Sequence, residues 1–339
     1  MKWPKVSLVV PCFNEAPFIK GILLDIEQQN YPLDLIELFV IDGRSTDSTR
    51  SIFEAIQPTL NYTAKLLDNP DRIAPTAMNL GIEAASGKYI FIWGAHASYP
   101  IDFISKMVHL AETTAADCVG AVCHTAPRAS GSKAKAIAAV LSHPIGVGNA
   151  SFRTGVDEIS EVDTVAFGCY YQKTFEKYGL FDPRLVRNQD IELNKRIVNQ
   201  GGKILLDPNT TCTYYARSDF KSFWKNNMGN GEWVIRTAKI TGQAAALSLR
   251  HFIPLCFALG FLISISIFTA NLLFDWVSLQ PSLLILLPIG LYFLIIGLVS
   301  IRIASKQKQI MLLLWAPLAF FVLHFSYGLG SIKGLLKSY

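Results

Sequence analysis

The chain has 339 residues, enough for one large domain or two ordinary ones. Hydrophobic residues make up 51% and the mean hydropathy is positive, more than a water-soluble chain normally carries. The formal charge of +5 comes from scattered Lys and Arg instead of a basic stripe, so nucleic acid is not expected as a partner and a membrane surface is.

The apolar excess is uneven. Up to about residue 249 charge and apolar residues mix as in a globular domain, and beyond it three uncharged runs dominate. Six cysteines show no C-x-x-C pair, which reads as a reduced, cytosol-facing chain without a disulfide framework. Cys118, Cys123 and His124 have a spacing that zinc could use, but the stretch reads better as a strand in which cysteine is a small buried residue. The basic start and apolar run at the N-terminus are too short for a signal peptide and are broken by Pro11, so a first buried strand is expected.

Residues 6–10 are rich in β-branched residues and do not alternate, the pattern of a parallel strand covered on both faces. Pro11-Cys-Phe-Asn-Glu15 is expected to be a loop. Pro17 suits the first turn of a helix that turns Phe18, Ile22 and Ile26 inward. A second strand over 35–41 closes on Asp42-Gly43, and Ser45-Thr-Asp-Ser-Thr offers caps for a helix that turns Ile52 and Ile56 inward. Residues 65–67 read as a third strand, 75–85 as a third helix and 89–93 as a fourth strand, which opens into Gly94, Ala95 and His96. This β-α-β-α-β-α-β order implies a doubly wound, mostly parallel sheet. Ligands are then expected beside Asn14, Glu15, Asp42 and His96, where the strands end. No G-x-G-x-x-G turn follows the first strand, so a dinucleotide is not supported, and Gly146-Val-Gly-Asn149 is weak as a phosphate loop.

Further on, a helix is expected over 101–113, a strand over 117–124, an exposed and mobile loop over 127–135 and a strand over 162–170. A short helix over 174–178 ends at Gly179. Asn188-Gln-Asp-Ile-Glu-Leu-Asn opens a helix with Ile191, Leu193, Ile197 and Val198 inward, and Asp190 falls in its first turn, where the helix dipole favours a carboxylate.

With these residues in place the chain resembles the family 2 glycosyltransferases, inverting enzymes of GT-A fold. Pro11-Cys-Phe-Asn-Glu15 matches the family's P-x-x-N-E loop and Asp42-Gly-Arg-Ser-Thr-Asp-Ser-Thr49 its D-G-x-S-x-D-x-T segment. Gly87-Lys-Tyr-Ile and Gln189-Asp190 are in register with it across roughly the first 220 residues. His143-Pro-Ile-Gly-Val-Gly-Asn-Ala-Ser-Phe-Arg-Thr154 and Asn188-Gln-Asp look like the branch that assembles bacterial exopolysaccharides such as succinoglycan.

The resemblance implies a UDP-sugar donor. Asp42 is to meet the uracil or ribose, while Asn14 and Glu15, after Pro11, shape the base pocket. Arg72 is to contact the diphosphate, with Lys88 a second candidate cation. Gly148, Asn149, Arg153 and Gln189 lie on the acceptor side, and Asp190 is the general base that takes the proton of the attacking hydroxyl. Glu192 is expected to be structural. The family has Asp-x-Asp or Asp-x-His after the fourth strand, and here Gly94-Ala95-His96 lacks the first aspartate. His96 is then the one metal-binding residue left, which suits Mn²⁺ held together with donor phosphates better than Mg²⁺.

Uncharged runs over 252–274, 281–301 and 310–332 each reach the roughly 20 residues needed to span hydrocarbon. Residues 275–280 carry no basic group and the next loop holds Arg302, Lys306 and Lys308, which places the catalytic domain in the cytoplasm at the inner (plasma) membrane. Lys333 and Lys337 after the third run count against that orientation unless the segment is re-entrant. Residues 219–249 interleave aromatic and basic groups, as interfacial helices do, with Trp224 and Trp233 at headgroup depth and Lys221, Lys225, Arg236 and Lys239 toward phosphate.

The expected organisation is a catalytic domain over 1–218, interfacial helices over 219–249 and transmembrane helices over 250–339. The Q-x-x-R-W motif of processive synthases is missing, so one sugar per lipid-linked saccharide acceptor is expected. A polyprenyl diphosphate is the expected carrier, membrane lipids are the other partners, and a homo-oligomer is left open. The rival reading is a non-catalytic nucleotide-binding membrane scaffold, motivated by the missing aspartate.

Overall fold

The computed structural model describes residues 2–242, 248–274 and 283–337. Its elements in chain order are β1 (Val6–Cys12), α1 (Ala16–Glu27), β2 (Ile36–Asp42), α2 (Thr49–Ile56), β3 (Thr63–Asp68), α3 (Ala74–Ala84), β4 (Tyr89–Ile92), β5 (Ala97–Ser98) and α4 (Phe103–Thr114). There follow β6 (Cys118–Pro127), α5 (Ser132–Leu141), α6 (Pro144–Val147), α7 (Ser151–Thr154), β7 (Ser160–Glu161), β8 (Cys169–Tyr171), α8 (Gln172–Tyr178), α9 (Gln189–Asn199), β9 (Ile204–Ala216) and α10 (Phe220–Thr241). Three apolar helices complete the chain, Ile253–Phe274, Leu287–Gln307 and Leu312–Leu336. Two units separate: Met1–His124 with Ala150–Tyr215, and Thr125–Asn149 with Ala216–Tyr339.

In the first unit the sheet runs β3-β2-β1-β4-β8-β6-β9-β5, with β7 on β9. The half built from β1 to β4 is parallel, with Val6 opposite Ile36 and Tyr89, and Glu37 opposite Thr63. From β4 onward the pairing turns antiparallel, Phe91 opposite Cys169 and Val119 opposite Cys169. The expected parallel sheet is therefore the first half of a mixed one.

Strand residues feed two apolar layers alternately. Leu8, Val10, Leu38 and Val40 face α1, α2 and α4, whereas Val9, Phe39 and Ile41 face α3, α8 and α9. Burial on both sides is why β2 shows no alternation and all seven of its residues are buried. Two of the seven are charged, Glu37 and Asp42; Glu37 accepts hydrogen bonds from Ser7 Oγ at 2.5 Å and Ser86 N at 2.7 Å while Lys5 Nζ lies at 2.8 Å.

Several local expectations are corrected. Pro11 and Cys12 belong to β1, because Pro11 still pairs with Ile41. Ile19 and Leu23 join Ile22 and Ile26 in the core while Phe18 is half-buried, and α2 buries Phe53 more deeply than Ile52 or Ile56. Residues 132–135 are helical, since Ala134, Ala136, Ile137 and Val140 give α5 an apolar side that is buried. Of the strand expected over 162–170 only Cys169 and Tyr170, in β8, are extended in the sheet; β7 ends before it and Phe167, at φ 52, interrupts it. On α9, Glu192 and Asn194 are buried and Ile191 and Val198 only partly, because Glu192 pairs with Arg196 at 2.7 Å and Asn194 accepts from Tyr170 Oη at 3.0 Å. Cys118 and Cys123 are buried strand residues, and no described group of three or more His, Cys, Asp or Glu suits a metal.

In the second unit α10 is one continuous helix where separate interfacial helices were expected, and it packs along the third apolar helix, as α5 also does. Residues 243–247 of the expected interfacial region, 275–282 between the first two apolar helices, and 338–339 lie outside the described residues. Arg302 and Lys306 sit on the second apolar helix, which runs to Gln307, and Lys333 sits on the third. Trp224 lies 6.2 Å from Phe325 between ring centroids. The guanidinium of Arg236 lies 3.9 Å over the Trp233 ring and 3.6 Å from Glu232, both on its own helix α10.

Candidate active site

Register brings Cys12, Asp42 and Asp68 side by side at the ends of β1, β2 and β3. Asp42 is fully buried: Ser45 N and Oγ donate to its carboxylate, the latter at 2.6 Å, and Arg50 Nη1 reaches it at 2.9 Å. The same guanidinium lies 3.3 Å from Asp68, which also meets Arg44 at 3.2 Å. Asp42 therefore anchors Arg50 and the Ser45 turn, and the groups left outward here are Arg50, Arg44 and Asp68.

The two loops above these strands are laced together. Asn14, at φ 57, donates its N–H to Ser45 Oγ at 2.8 Å and accepts from Thr46 N at 2.8 Å. Glu15 N donates to Thr49 Oγ1 at 2.8 Å and Ala16 N to Asp47 at 3.2 Å. Arg72, also left-handed at φ 57, is exposed on the turn after β3. Positive φ at non-glycine residues is costly, and five of the seven in the described chain (Asn14, Arg44, Arg72, Phe167 and Asn188) fall in these loops or beside Gly94 and Asp190.

His96 Nε2 lies 3.1 Å from Glu15 Oε1, and its ring stands edge-on to Phe18 with centroids 4.8 Å apart. The space of the missing aspartate is filled, since a Cβ at Gly94 would meet Phe167 Cε1 at 2.3 Å. Trp93 stacks on Tyr99 at 3.9 Å, and Tyr99 Oη accepts from Gly94 N at 2.9 Å, which fixes the backbone of the turn.

On α9, Asp190 Oδ1 accepts from Ile191 N at 2.9 Å. Burial lifts its pKa above the usual carboxylate value, partly offset by that hydrogen bond and by the nearby charge of Arg153. Arg153 itself lies over Phe152 and Tyr214, at 5.3 and 5.1 Å from the ring centroids. Glu15 Oε2, His96 Nδ1, Asn188 Nδ2 and Gln189 Oε1 are buried without an internal hydrogen-bond partner. Such atoms are rare in folded proteins, and these four fall on residues expected at the site or, for Asn188, directly before them.

The family model for glycosyl transferase family 2 matches residues 7–179, half of the chain. The chain belongs to glycosyl transferase family 2. The transferase is 28% identical over 98% of its length, and 97% of the relative's, to a Methanococcus voltae protein named dolichyl N-acetyl-alpha-D-glucosaminyl phosphate 3-beta-D-2,3-diacetamido-2,3-dideoxy-beta-D-glucuronosyltransferase. It is 30% identical over 74% of both chains to the succinoglycan biosynthesis protein ExoA of Rhizobium meliloti. Among solved structures it resembles the Pyrobaculum calidifontis mannosyltransferase PcManGT, with TM-score 0.65 and 18% identity over 99% of this chain and 88% of that one. It also resembles S. aureus TarS 1-349, with TM-score 0.55 and 15% identity over 97% and 91%. These structural likenesses establish the GT-A fold.

Of the residues expected in the transferase site, the first unit contains Pro11, Asn14, Glu15, Asp42, Arg72, Gly94, Ala95, His96, Arg153, Gln189 and Asp190. Gly148 and Asn149 belong to the second unit, where Asn149 Oδ1 accepts from Arg250 Nη1 at 3.0 Å and Gly148 has φ 64. Lys88 is not available to the diphosphate, because it immediately precedes β4, at the end of the strand opposite Gly94, and pairs with Glu112 at 2.6 Å. Sequence reasoning missed Arg50, Asp68, Phe167 and Tyr214. Asp68 closes a strand in register with Asp42 and was findable by that rule; Arg50, Phe167 and Tyr214 carry no local signal.

His96 and Glu15 offer an imidazole and a carboxylate oxygen, each with one buried atom lacking a protein partner. The atoms that face each other are His96 Nε2 and Glu15 Oε1, 3.1 Å apart, a nitrogen and an oxygen donor of the kinds a borderline divalent ion accepts.

Proposed function

We propose that the transferase moves one sugar from a UDP-sugar to a polyprenyl-diphosphate-linked saccharide, with inversion, from the cytoplasmic side of the inner membrane. The observation that carries this reading is Asp190: a carboxylate of raised pKa at a helix start, flanked by Asn188 and Gln189 with partnerless buried atoms and tempered by Arg153. The three apolar helices, the relatives' names and the UDP-GlcNAc bound by TarS 1-349 support the lipid acceptor and the nucleotide-sugar donor. The Methanococcus voltae relative is named for a phosphate-linked acceptor, so both mono- and diphosphate carriers belong in the test.

In the reaction the acceptor hydroxyl oxygen bonds to the anomeric carbon while the bond from that carbon to the β-phosphate oxygen breaks. Its proton passes to Asp190, UDP departs with the electron pair, and attack from the opposite face inverts the configuration. Arg72 and Arg50 supply positive charge at the strand ends where the diphosphate is expected, and Asn14 with Thr46 keeps the base-side loops in place. A divalent ion, when bound by His96 and Glu15, would supply further charge neutralisation for the leaving diphosphate.

The test is UDP release by purified protein with polyprenyl-linked saccharides and a panel of UDP-sugars, with and without chelator. Turnover that needs Asp190 is expected, and full turnover in Asp190→Asn would remove the mechanism. UDP binding without turnover on any donor would return the scaffold reading.

A further inference from the structure

α10 and the third apolar helix run side by side in the same direction, with Phe220 lying 5.9 Å from Trp315 near their starts and Lys239 reaching the last turn of the apolar helix at their ends. Glycines set the spacing between them. A Cβ on Gly231 would lie 1.9 Å from the Tyr327 carbonyl oxygen, one on Gly330 would lie 2.1 Å from that of Met228, and one on Gly334 would lie 2.6 Å from that of Glu232. Small residues at such positions let helices approach at backbone distance. The approach buries Glu232 of α10, and its carboxylate meets cations from both helices.

Lys333 Nζ lies 2.7 Å from Glu232 Oε2 and Lys337 Nζ donates to Oε1 at 2.8 Å, while Arg236 is 3.6 Å from Oε1. Even with Arg236 left aside, two ammonium groups share one carboxylate, and positive charge is left over. Each ammonium has three N–H donors and directs one at Glu232. The two side chains are 52% and 47% exposed, so the remaining donors are open to a ligand. Lys239, expected to face lipid phosphate, is used differently: its Nζ donates to the carbonyls of Gly334, Leu335 and Lys337 at 3.0, 2.7 and 2.9 Å. The carbonyls at this helix end, which would repel an anion, are thereby covered.

Apolar surface borders the charge directly. Leu335 and Leu336, between the two lysines, are 48% and 81% exposed. Trp233, a residue type that favours headgroup depth, adjoins Glu232 and carries the Arg236 guanidinium 3.9 Å over its ring. A free anion would engage the lysines alone, whereas a ligand with a phosphate and acyl chains engages the leucines as well.

We infer that Lys333 and Lys337, oriented by Glu232, form a site for the phosphate of an anionic phospholipid whose acyl chains lie against Leu335 and Leu336. Glu232 also sets the selectivity. It offsets part of the positive charge, so a headgroup of net negative charge is held and a zwitterionic one gains little. The site stands apart from the transfer chemistry and does not depend on the donor or the acceptor.

The test is titration of the purified, delipidated full chain in detergent with phosphatidylglycerol and with phosphatidylcholine, bound lipid being counted by native mass spectrometry. Phosphatidylglycerol should bind more tightly. Lys333→Gln and Lys337→Gln should each weaken it about fivefold and leave phosphatidylcholine unchanged. Glu232→Gln should strengthen it, because the same lysines then face the lipid without a competing carboxylate. Equal affinity for the two lipids in the parent, or phosphatidylglycerol binding unmoved in the double lysine variant, would overturn the inference. Full displacement by inorganic phosphate would show a site for a free anion, and preference for polyprenyl phosphate over phosphatidylglycerol would give the lysines to the sugar carrier; either result overturns it too. Thermal unfolding checks the fold of each variant, and if Glu232→Gln does not fold, Lys337→Gln, at the exposed end of the helix, decides with Lys333→Gln.

Discussion

Restoring the aspartate at Gly94 should harm the protein before it helps any metal. A Cβ there meets Phe167 Cε1 at 2.3 Å and Cζ at 2.9 Å, distances that real Cβ contacts do not show, so the ring must move or the strand end must shift. Overpacking of this kind costs about 1–3 kcal/mol. The first unit has about 190 residues, and at about 2–4 °C per kcal/mol the apparent Tm of Gly94→Asp should fall by roughly 2–12 °C. The collision is with one side chain, so Phe167→Ala should largely relieve it, and the double variant should be more stable than the two single losses added by about 1–2 kcal/mol. The assay is thermal unfolding of the purified protein followed by intrinsic fluorescence, run as a four-member cycle. Only in the double variant should the new carboxylate reach a divalent ion, read as tighter Mn²⁺ binding by electron paramagnetic resonance. A Gly94→Asp protein as stable as the parent, or a cycle with no coupling, would refute the idea that Phe167 occupies the missing side chain's place.

Asp190→Asn should lower turnover by about 10²–10⁴-fold, measured as UDP release, while the Tm holds or rises. Burial raises the Asp190 pKa, so ionisation costs stability as pH climbs through the usual carboxylate range, and the amide removes that cost. The acid limb of kcat/KM should lie above the range of an ordinary carboxylate, and Arg153→Gln should move it higher still, because the guanidinium now favours the ionised form. Arg50→Met should destabilise by about 1–3 kcal/mol in denaturant unfolding, less than for a wholly buried pair, since it strands Asp42 while Arg50 itself is partly solvated. His96→Ala should weaken Mn²⁺ binding measured by calorimetry in the presence of UDP, and unchanged binding would remove His96 from the metal site.

What the sequence disclosed was chiefly what repeats at short range. Short, largely apolar runs announced β1 and β2, Pro17 announced the start of α1, and Gly179, at φ 82, announced the end of α8. The site motifs were legible because Asn14, Glu15, Asp42 and Asp190 sit at strand ends or helix starts, where chemistry and turn geometry select the same residues. Hidden were the relations that only the folded chain creates. Phe167 lies 73 residues from Gly94 yet decides what that position tolerates. Arg50 follows its motif without belonging to it, and its role depends on Asp68 arriving from the next strand. The antiparallel half of the sheet was hidden too, because β7 and β8 are two and three residues long and hydropathy cannot show which neighbour they take. On the third apolar helix, hydropathy measured the residues of the helix itself and was blind to the polar helix laid along it.

The lacing of the Asn14 loop to the Ser45–Thr49 loop has a consequence for how the donor is received. Both loops already spend their polar groups on each other, through Ser45, Thr46, Asp47 and Thr49, so little backbone freedom is left to be lost when a nucleotide arrives. Recognition at this edge is then closer to docking on a finished surface than to closure of a flexible lid. The same lacing couples the two segments mechanically: a change at Asn14 removes the acceptor of Thr46 N and is felt in the other loop.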